Sequence, residues 1–258
     1  MSIIIEGTLH SAVLLAVMSI MIYYWIESSK TKQVYIRRLV ALDAIEEAVG
    51  RAVEMGRPVA FGTGWGGMID QYAPHTLAAL SIMSYTADLC AKLNCKMFYI
   101  ASRAHVIPAA QETMELAYRA NNEVLDSDYA IRYSGDNQRA LMTLTYGTFE
   151  RERPACVILA GAIFWEALTI PDYGHTVGAI NIGAGARMYA FPYLVTNCDY
   201  TLLGEELFAA GAYLSRDFAQ VGSIKGQDWS KGIVILLVIL GLLASIMDPN
   251  IISQFLSS

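Results

Sequence analysis

Hydrophobic positions along the chain fall into three regimes. From Ser11 to Ile26 the residues SAVLLAVMSIMIYYWI carry no charge, and the apolar character reaches weakly back through Ile3, Ile4 and Ile5 across Glu6 and His10. A helix rises about 1.5 Å per residue, so Ile3 to Ile26 suffices to cross a hydrocarbon layer of about 30 Å. Tyr23, Tyr24 and Trp25 then stand where an interfacial aromatic belt belongs. Near the other end Gly232 to Met247, GIVILLVILGLLASIM, is again uncharged, with Trp229 and Lys231 before it and Asp248-Pro249 after it. A helix apolar on every face at a chain end seldom finds enough protein to cover it, so a second membrane span is predicted. A cleaved signal peptide is disfavoured for the first run, because Glu6 stands where a basic region would and bulky aromatics follow.

Between the spans, amphipathic helices alternate with short apolar strands. Leu39 to Met55 places Leu39, Leu42, Ile45, Val49, Ala52 and Val53 on one helical face and Asp43, Glu46, Glu47 and Arg51 largely on the other, with Gly56 suited to a left-handed end. Pro58 to Phe61 reads as a strand running into the glycine-rich GTGWGG, and Pro74 suits the first turn of a helix reaching about Leu93. Further strands are expected at Lys96–Ala101, Tyr129–Tyr133, Cys156–Ala160, Ala179–Ile182 and Asp199–Leu203. Helices are expected at Pro108–Asn121, Asn137–Glu150 and Glu205–Leu214, and QVGSIKGQDWSK reads as a linker. Strands apolar throughout need cover on both faces. The fold class is therefore α/β, a three-layer sandwich with a largely parallel, Rossmann-like sheet, plus two transmembrane helices. The boundaries are 1–29 for the first segment and span, 30–225 for the α/β domain, and 226–258 for linker, second span and tail.

Composition agrees with a mixed architecture: 55% of the 258 residues are hydrophobic and 16% charged. The net charge of −6, with Lys and Arg scattered, excludes a nucleic-acid surface. Cys90, Cys95, Cys156 and Cys198 form no CxxC and read as buried free thiols in a reducing compartment. Lys30, Lys32, Arg37 and Arg38 follow the first span and Lys225 and Lys231 precede the second, whereas the outer flanks carry Glu6 and Asp248. The positive-inside rule then puts the middle domain in the cytoplasm and both termini outside.

Candidate chemistry is sparse. Gly62, Gly64 and Gly67 satisfy GxGxxG after a strand, a pattern that lets backbone approach a pyrophosphate. The next helix begins near Pro74, however, and no acid ends the following strand to meet a ribose, so a structural turn is the better reading. Gly178, Gly183 and Gly185 bracket the strand AINI, and Arg187 follows. In a parallel sheet both clusters fall at carboxyl ends of strands, where an anionic ligand would sit, although close backbone packing is the better reading. His75, His105 and His175 lack metal-site spacing; Asp199, Glu205 and Glu206, with Asp172, are a candidate cation site, but a helix N-terminus enriched in acids for dipole reasons is the better reading of Glu205 and Glu206. No GxSxG, Walker A or kinase set is present, so no catalytic residue, metal or cofactor is assigned.

The segments YIRRLVALDAIEEAVGRAVEMGRPV (Tyr35–Val59), NCDYTLLGEELFAAGAYLS (Asn197–Ser215) and GSIKGQDWSKG (Gly222–Gly232) resemble an uncharacterised prokaryotic family catalogued as a domain of unknown function. The resemblance spans nearly the whole chain. It implies a membrane helix at each end of an α/β domain, in a prokaryotic cell membrane, and no activity.

Function is therefore expected to be that of a membrane-anchored scaffold or assembly subunit. Its expected partners are membrane lipid, further copies of itself and other subunits of a membrane complex. FWEALTIPDYGH and ARMYAFPYLV place Trp165, Tyr189 and Phe191, with Phe164, Tyr173 and Tyr193, as candidates for an oligomer surface, and Gly232, Gly241, Ala244 and Ser245 supply small positions for helix approach. The alternative is a membrane-tethered α/β domain, enzymatic or not, that binds a nucleotide or small anion. Topology is directly testable: a cysteine introduced at Ser28 or Ser29 should react with a membrane-impermeant maleimide only after the cells are permeabilised. Labelling in intact cells would reverse the orientation.

Overall fold

Apolar strands that must be covered on both faces set the architecture. The computed structural model describes residues 9–30, 39–215 and 217–247. It separates an α/β body within Arg37–Ser215 from a unit built by the two ends of the chain. In chain order the elements are α1 (Leu9–Ser29), α2 (Val40–Met55), β1 (Val59–Gly64), α3 (Ala73–Lys92), β2 (Met97–Ala101), α4 (Ile107–Ala120), α5 (Ser127–Ala130), β3 (Ile131–Tyr133) and α6 (Gln138–Glu152). There follow β4 (Cys156–Ala162), α7 (Glu166–Thr176), β5 (Ile180–Gly185), α8 (Phe191–Asn197), β6 (Tyr200–Leu203), α9 (Glu205–Ser215) and α10 (Phe218–Met247).

The six strands form one all-parallel sheet in the order β3-β2-β1-β4-β5-β6. Alternate residues of each strand feed two separate cores, as the period of two requires. Phe61, Tyr99, Ile158 and Ile182 pack with helices α2, α3, α4 and α9, whereas Ala60, Phe98, Val157 and Leu159 pack with α6, α7 and α8. The predicted three-layer parallel sandwich is the observed fold.

Local signals explain most element ends. Gly56 takes φ of 63° and closes α2, with the Arg57 N–H returning to the Ala52 carbonyl. Asn137 caps α6 through its side-chain oxygen, which accepts from the N–H groups of Arg139 and Ala140. Three differences from expectation have physical causes. β1 continues through Gly62, Thr63 and Gly64, because the glycines still pair with neighbouring strands. α7 was hidden by Pro171 and Gly174; a Cβ at Gly174 would lie 2.1 Å from Asn181 Oδ1, so the glycine lets the helix approach β5. The segment read as a linker, QVGSIKGQDWSK, is helical and forms the first half of α10.

That last correction follows from what its glycines touch. A Cβ at Gly222 would meet Ile26 Cα at 2.6 Å and Trp25 O at 2.8 Å, and one at Gly226 would meet Ile22 Cα at 2.7 Å. The glycines let α10 lie antiparallel on α1 at backbone contact, the small-xxx-small device of membrane helix pairs. Ser230, one turn further on, is buried, Ser29 Oγ donates to Phe218 O at 2.6 Å, and the Trp25 and Trp229 rings stack 6.0 Å apart. Both helices are long and apolar enough to span a membrane. Val234 to Leu240 is exposed at every position, so no protein in this unit covers it. Ile3, Ile4, Ile5, Glu6, Lys32, Arg37, Arg38, Asp248 and the side chains of Ala244 and Ser245 lie outside the described residues.

Cysteines replacing Trp25 and Trp229 should crosslink efficiently with a short bismaleimide. Adding Gly222→Val and Gly226→Val should cut the yield several-fold by driving the helices apart, whereas Gly232→Val, whose Cβ meets nothing within 4 Å, should not. Equal yields in all three would refute the packing.

Candidate functional site

Strand order reverses between β1 and β4, and the crevice at their carboxyl ends is the usual ligand position in such sheets. Two glycines shape it. Gly64 (φ 68°) and Gly161 (φ 121°) adopt left-handed backbone, and the register between the strands slips between Gly62 and Gly64. A Cβ at Gly64 would lie 2.5 Å from Ala162 O, and one at Gly161 2.6 Å from Thr63 O, so neither position admits a side chain. The Ser102 hydroxyl donates to Gly64 O, and Thr63 Oγ1 shares a hydrogen bond of 2.8 Å with Tyr99 OH.

A phosphate-binding loop needs unengaged N–H groups. Here several N–H groups of the loop after β1 are engaged internally. The Asp70 carboxylate accepts from Gly67 N at 3.1 Å and Tyr72 N at 2.8 Å, His105 Nε2 accepts from Met68 N at 3.1 Å, and Trp65 N donates to Ala162 O at 3.0 Å. At the start of α3, Ala73 N donates to Asp70 O while His75 and Thr76 donate to Tyr72 O; Pro74 has no N–H to give. An internal carboxylate thus stands where a phosphate would. A Cβ at Gly67 would lie 2.5 Å from His105 Nε2, whereas one at Gly62 would meet only Leu159 Cδ1, at 3.3 Å.

The second cluster serves packing too. A Cβ at Gly183 would meet Cys198 Sγ at 2.7 Å and Leu194 Cδ2 at 2.8 Å, and one at Gly185 would meet Leu194 Cδ1 at 3.1 Å, so both glycines seat α8 on β5. Just beyond, Arg187 lies against three rings, with its guanidinium 4.3 Å from Phe164, 4.6 Å from Tyr189 and 4.7 Å from Tyr72. Its Nε is buried without a hydrogen-bond partner. The loops following β1, β4 and β5 therefore converge on one arginine. Burial, and then the Arg187 charge, lower the His75 pKa. Arg103 makes the same kind of contact after β2, 4.2 Å over Trp65, and donates from Nε to Trp65 O at 3.2 Å.

Sequence reasoning missed Glu166. It opens α7, is fully buried, and one carboxylate oxygen accepts from Gln138 Nε2 at 2.7 Å while the other has no partner. With Gly62, Gly64, Leu141 and Thr145 it lines a cavity of about 20 Å³, room for about one water. Burial raises its pKa, against the opposing pull of its own N–H, Gln138 and the nearby N–H groups of Phe164 and Trp65. The one signal in the sequence was an acid placed for a helix first turn, visible only once α7 is recognised. The other acids do not gather: Asp199 accepts from Asn181 N at 2.7 Å and Glu206 from Leu203 N at 3.4 Å. Among the described residues no group of three His, Cys, Asp or Glu is placed to hold a metal ion.

On the surface beside this crevice, Trp165 is 74% and Met188 82% exposed, and Leu168, Tyr189 and Tyr193 are exposed with them. Phe164, its ring 6.0 Å from that of Tyr189, links the α7 and α8 sides of the patch. Phe191 is half-buried beside Gly204, and Tyr173 turns inward onto Tyr146 and Phe149.

In comparisons with known proteins, the model of a domain of unknown function, DUF6754, matches residues 2–256, nearly the whole chain, as the resemblance implied. No curated protein matches.

Because the folded Glu166 carboxyl holds its proton more tightly than the unfolded one, its contribution is fully present below the unfolded pKa and is lost as pH rises through the folded value. Glu166→Gln should therefore melt higher relative to wild type at alkaline than at acidic pH. Melting curves across that range check this, and a pH-independent difference would refute it.

Proposed function

The chain belongs to the DUF6754 family, and we propose that it is a two-span scaffold or assembly subunit of a prokaryotic cell membrane whose cytoplasmic α/β body self-associates. The observation that carries this reading is the aromatic and apolar patch around Trp165 and Met188, which the exposed Leu168, Tyr189 and Tyr193 extend. Membrane tethering strengthens the case. Copies held in one bilayer share an orientation and a high local concentration, so even a modest patch associates. Gly232 and Gly241 have open space around them and offer close approach to helices of a second copy. Trp25 and Trp229, stacked at one level, suit an interfacial belt. Lipid and a second copy are thus the partners proposed, with other subunits of a membrane complex as further candidates. The anionic-ligand alternative has less support, because the glycine-loop N–H groups named above already have acceptors.

Mass measurement in mild detergent should give a multiple of 28.3 kDa. Trp165→Asp should weaken association by about 2 kcal/mol or more, about 30-fold, while leaving the melting temperature nearly unchanged, since the side chain is 74% exposed. Phe191→Asp should instead lower the melting temperature. A wild-type chain that stays monomeric both in detergent and under crosslinking in native membranes would sink the proposal.

A further inference from the structure

Helix α3 ends in a paired cap. Asn94 takes φ of 52°, its N–H returns to Ala91 O at 3.3 Å, and the Cys95 N–H reaches Cys90 O at 2.8 Å. This is the Schellman arrangement, in which the side chains of the two residues joined by the longer bond touch, usually as an apolar contact. Here both are cysteines. The backbone bond keeps their Cα atoms within about 7 Å, the reach of a disulfide. Cys90 is fully buried, and the Cys95 sulfur lies 3.7 Å from the carbonyl oxygens of Arg57 and Lys96. Both cysteines line a cavity of about 170 Å³ whose outer wall is formed by the exposed residues Asn94, Lys96, Glu123 and Val124, so a small reagent has a route from the surface.

We propose that Cys90 and Cys95 are a reversible dithiol–disulfide pair, served through this cavity by low-molecular-weight disulfides. Cys95, the less deeply buried of the two, is the attacking sulfur, and its interaction with the Cys90 side chain lowers its pKa. The Cys95 thiolate attacks one sulfur of a disulfide RSSR, forming a mixed disulfide and releasing RS⁻, which takes up a proton. Cys90 then gives up its proton, and its thiolate attacks Cys95 Sγ, displacing the second RS⁻. In balance, two thiols of the protein are oxidised to one disulfide and RSSR is reduced to two RSH. Cys156, deeply buried in β4, and Cys198, packed on Gly183, stay outside the exchange. The helix cap already holds the two backbones within disulfide reach, so closing the bond leaves the cap in place.

The full-length chain in detergent, incubated with oxidised glutathione, then denatured, alkylated and mapped by mass spectrometry, tests the pair. Expected is the loss of the two alkylatable thiols at Cys90 and Cys95, a mass lower by two hydrogens, and recovery of both on adding dithiothreitol, with Cys156 and Cys198 alkylated throughout. Cys90→Ser should instead accumulate glutathione on Cys95, whereas Cys95→Ser should take up none at Cys90. Four thiols still alkylated in the wild type, an unresolved glutathione adduct, or a disulfide that includes Cys156 would each overturn the proposal.

Discussion

The body depends on how closely β1 and β4 approach at their carboxyl ends. They are the central pair of the sheet, buried along almost their whole length, and the chain departs from them toward opposite edges. Backbone meets backbone where they end: the Cβ positions of Gly64 and Gly161 fall on carbonyl oxygens of the opposing strand. Left-handed backbone at both residues lets the register slip there and directs the two following loops across one crevice. Tyr72 arrives from one side and Phe164 from the other, and Arg187 is held between them. A side chain at either glycine would separate the strands and remove the support for Arg187, Glu166 and the patch around Trp165 together.

A phosphate-binding loop and this one begin alike, with glycines after the first strand of a sheet of this order, and then diverge for a physical reason. A loop that holds phosphate leaves its N–H groups to the ligand and relies on the helix dipole to favour the charge. In this chain the helix starts late, at Ala73, and the turn before it carries Asp70, whose carboxylate supplies the negative charge from within. The N–H groups of Gly67, Met68 and Tyr72 are therefore engaged from within the protein. The absence of a helix directly after GTGWGG was readable in the sequence, through Pro74. The acceptor was not, because an aspartate three residues past a glycine run looks like any turn residue.

The same division holds elsewhere. Periodicity disclosed the strands, most of the helices and both long apolar helices, because each is dictated by which faces must leave water. Glycine and proline were the places where pattern misled. Gly174 and Pro171 concealed α7, and Gly222 and Gly226 made a packed helix resemble a linker, since a glycine that permits close contact is indistinguishable in sequence from one that permits flexibility. Glu166 was hidden with α7, and the approach of the Cys90 and Cys95 backbones was hidden by a spacing of five residues that means nothing until Asn94 is seen in left-handed backbone.

The two units solve opposite solvent problems with the same residue. In the body, glycine lets strands, loops and α8 close over a core already driven together by burial from water. In the bilayer that we propose for α1 and α10 that drive is missing, because lipid tails are as apolar as leucine, and close van der Waals contact has to supply the association. Gly222 and Gly226 place it in the half of α10 that still carries Lys225, Gln227 and Asp228, beside the stacked Trp25 and Trp229. Among the described residues, Cβ atoms at Gly232 and Gly241 of the uncharged half would meet nothing within 4 Å, and Val234 to Leu240 are exposed. Pairing at the polar end and exposure at the apolar end is what the proposed pair of membrane spans requires: the first fixes the two helices together, and the second leaves an apolar surface for the lipid or second copy that we propose.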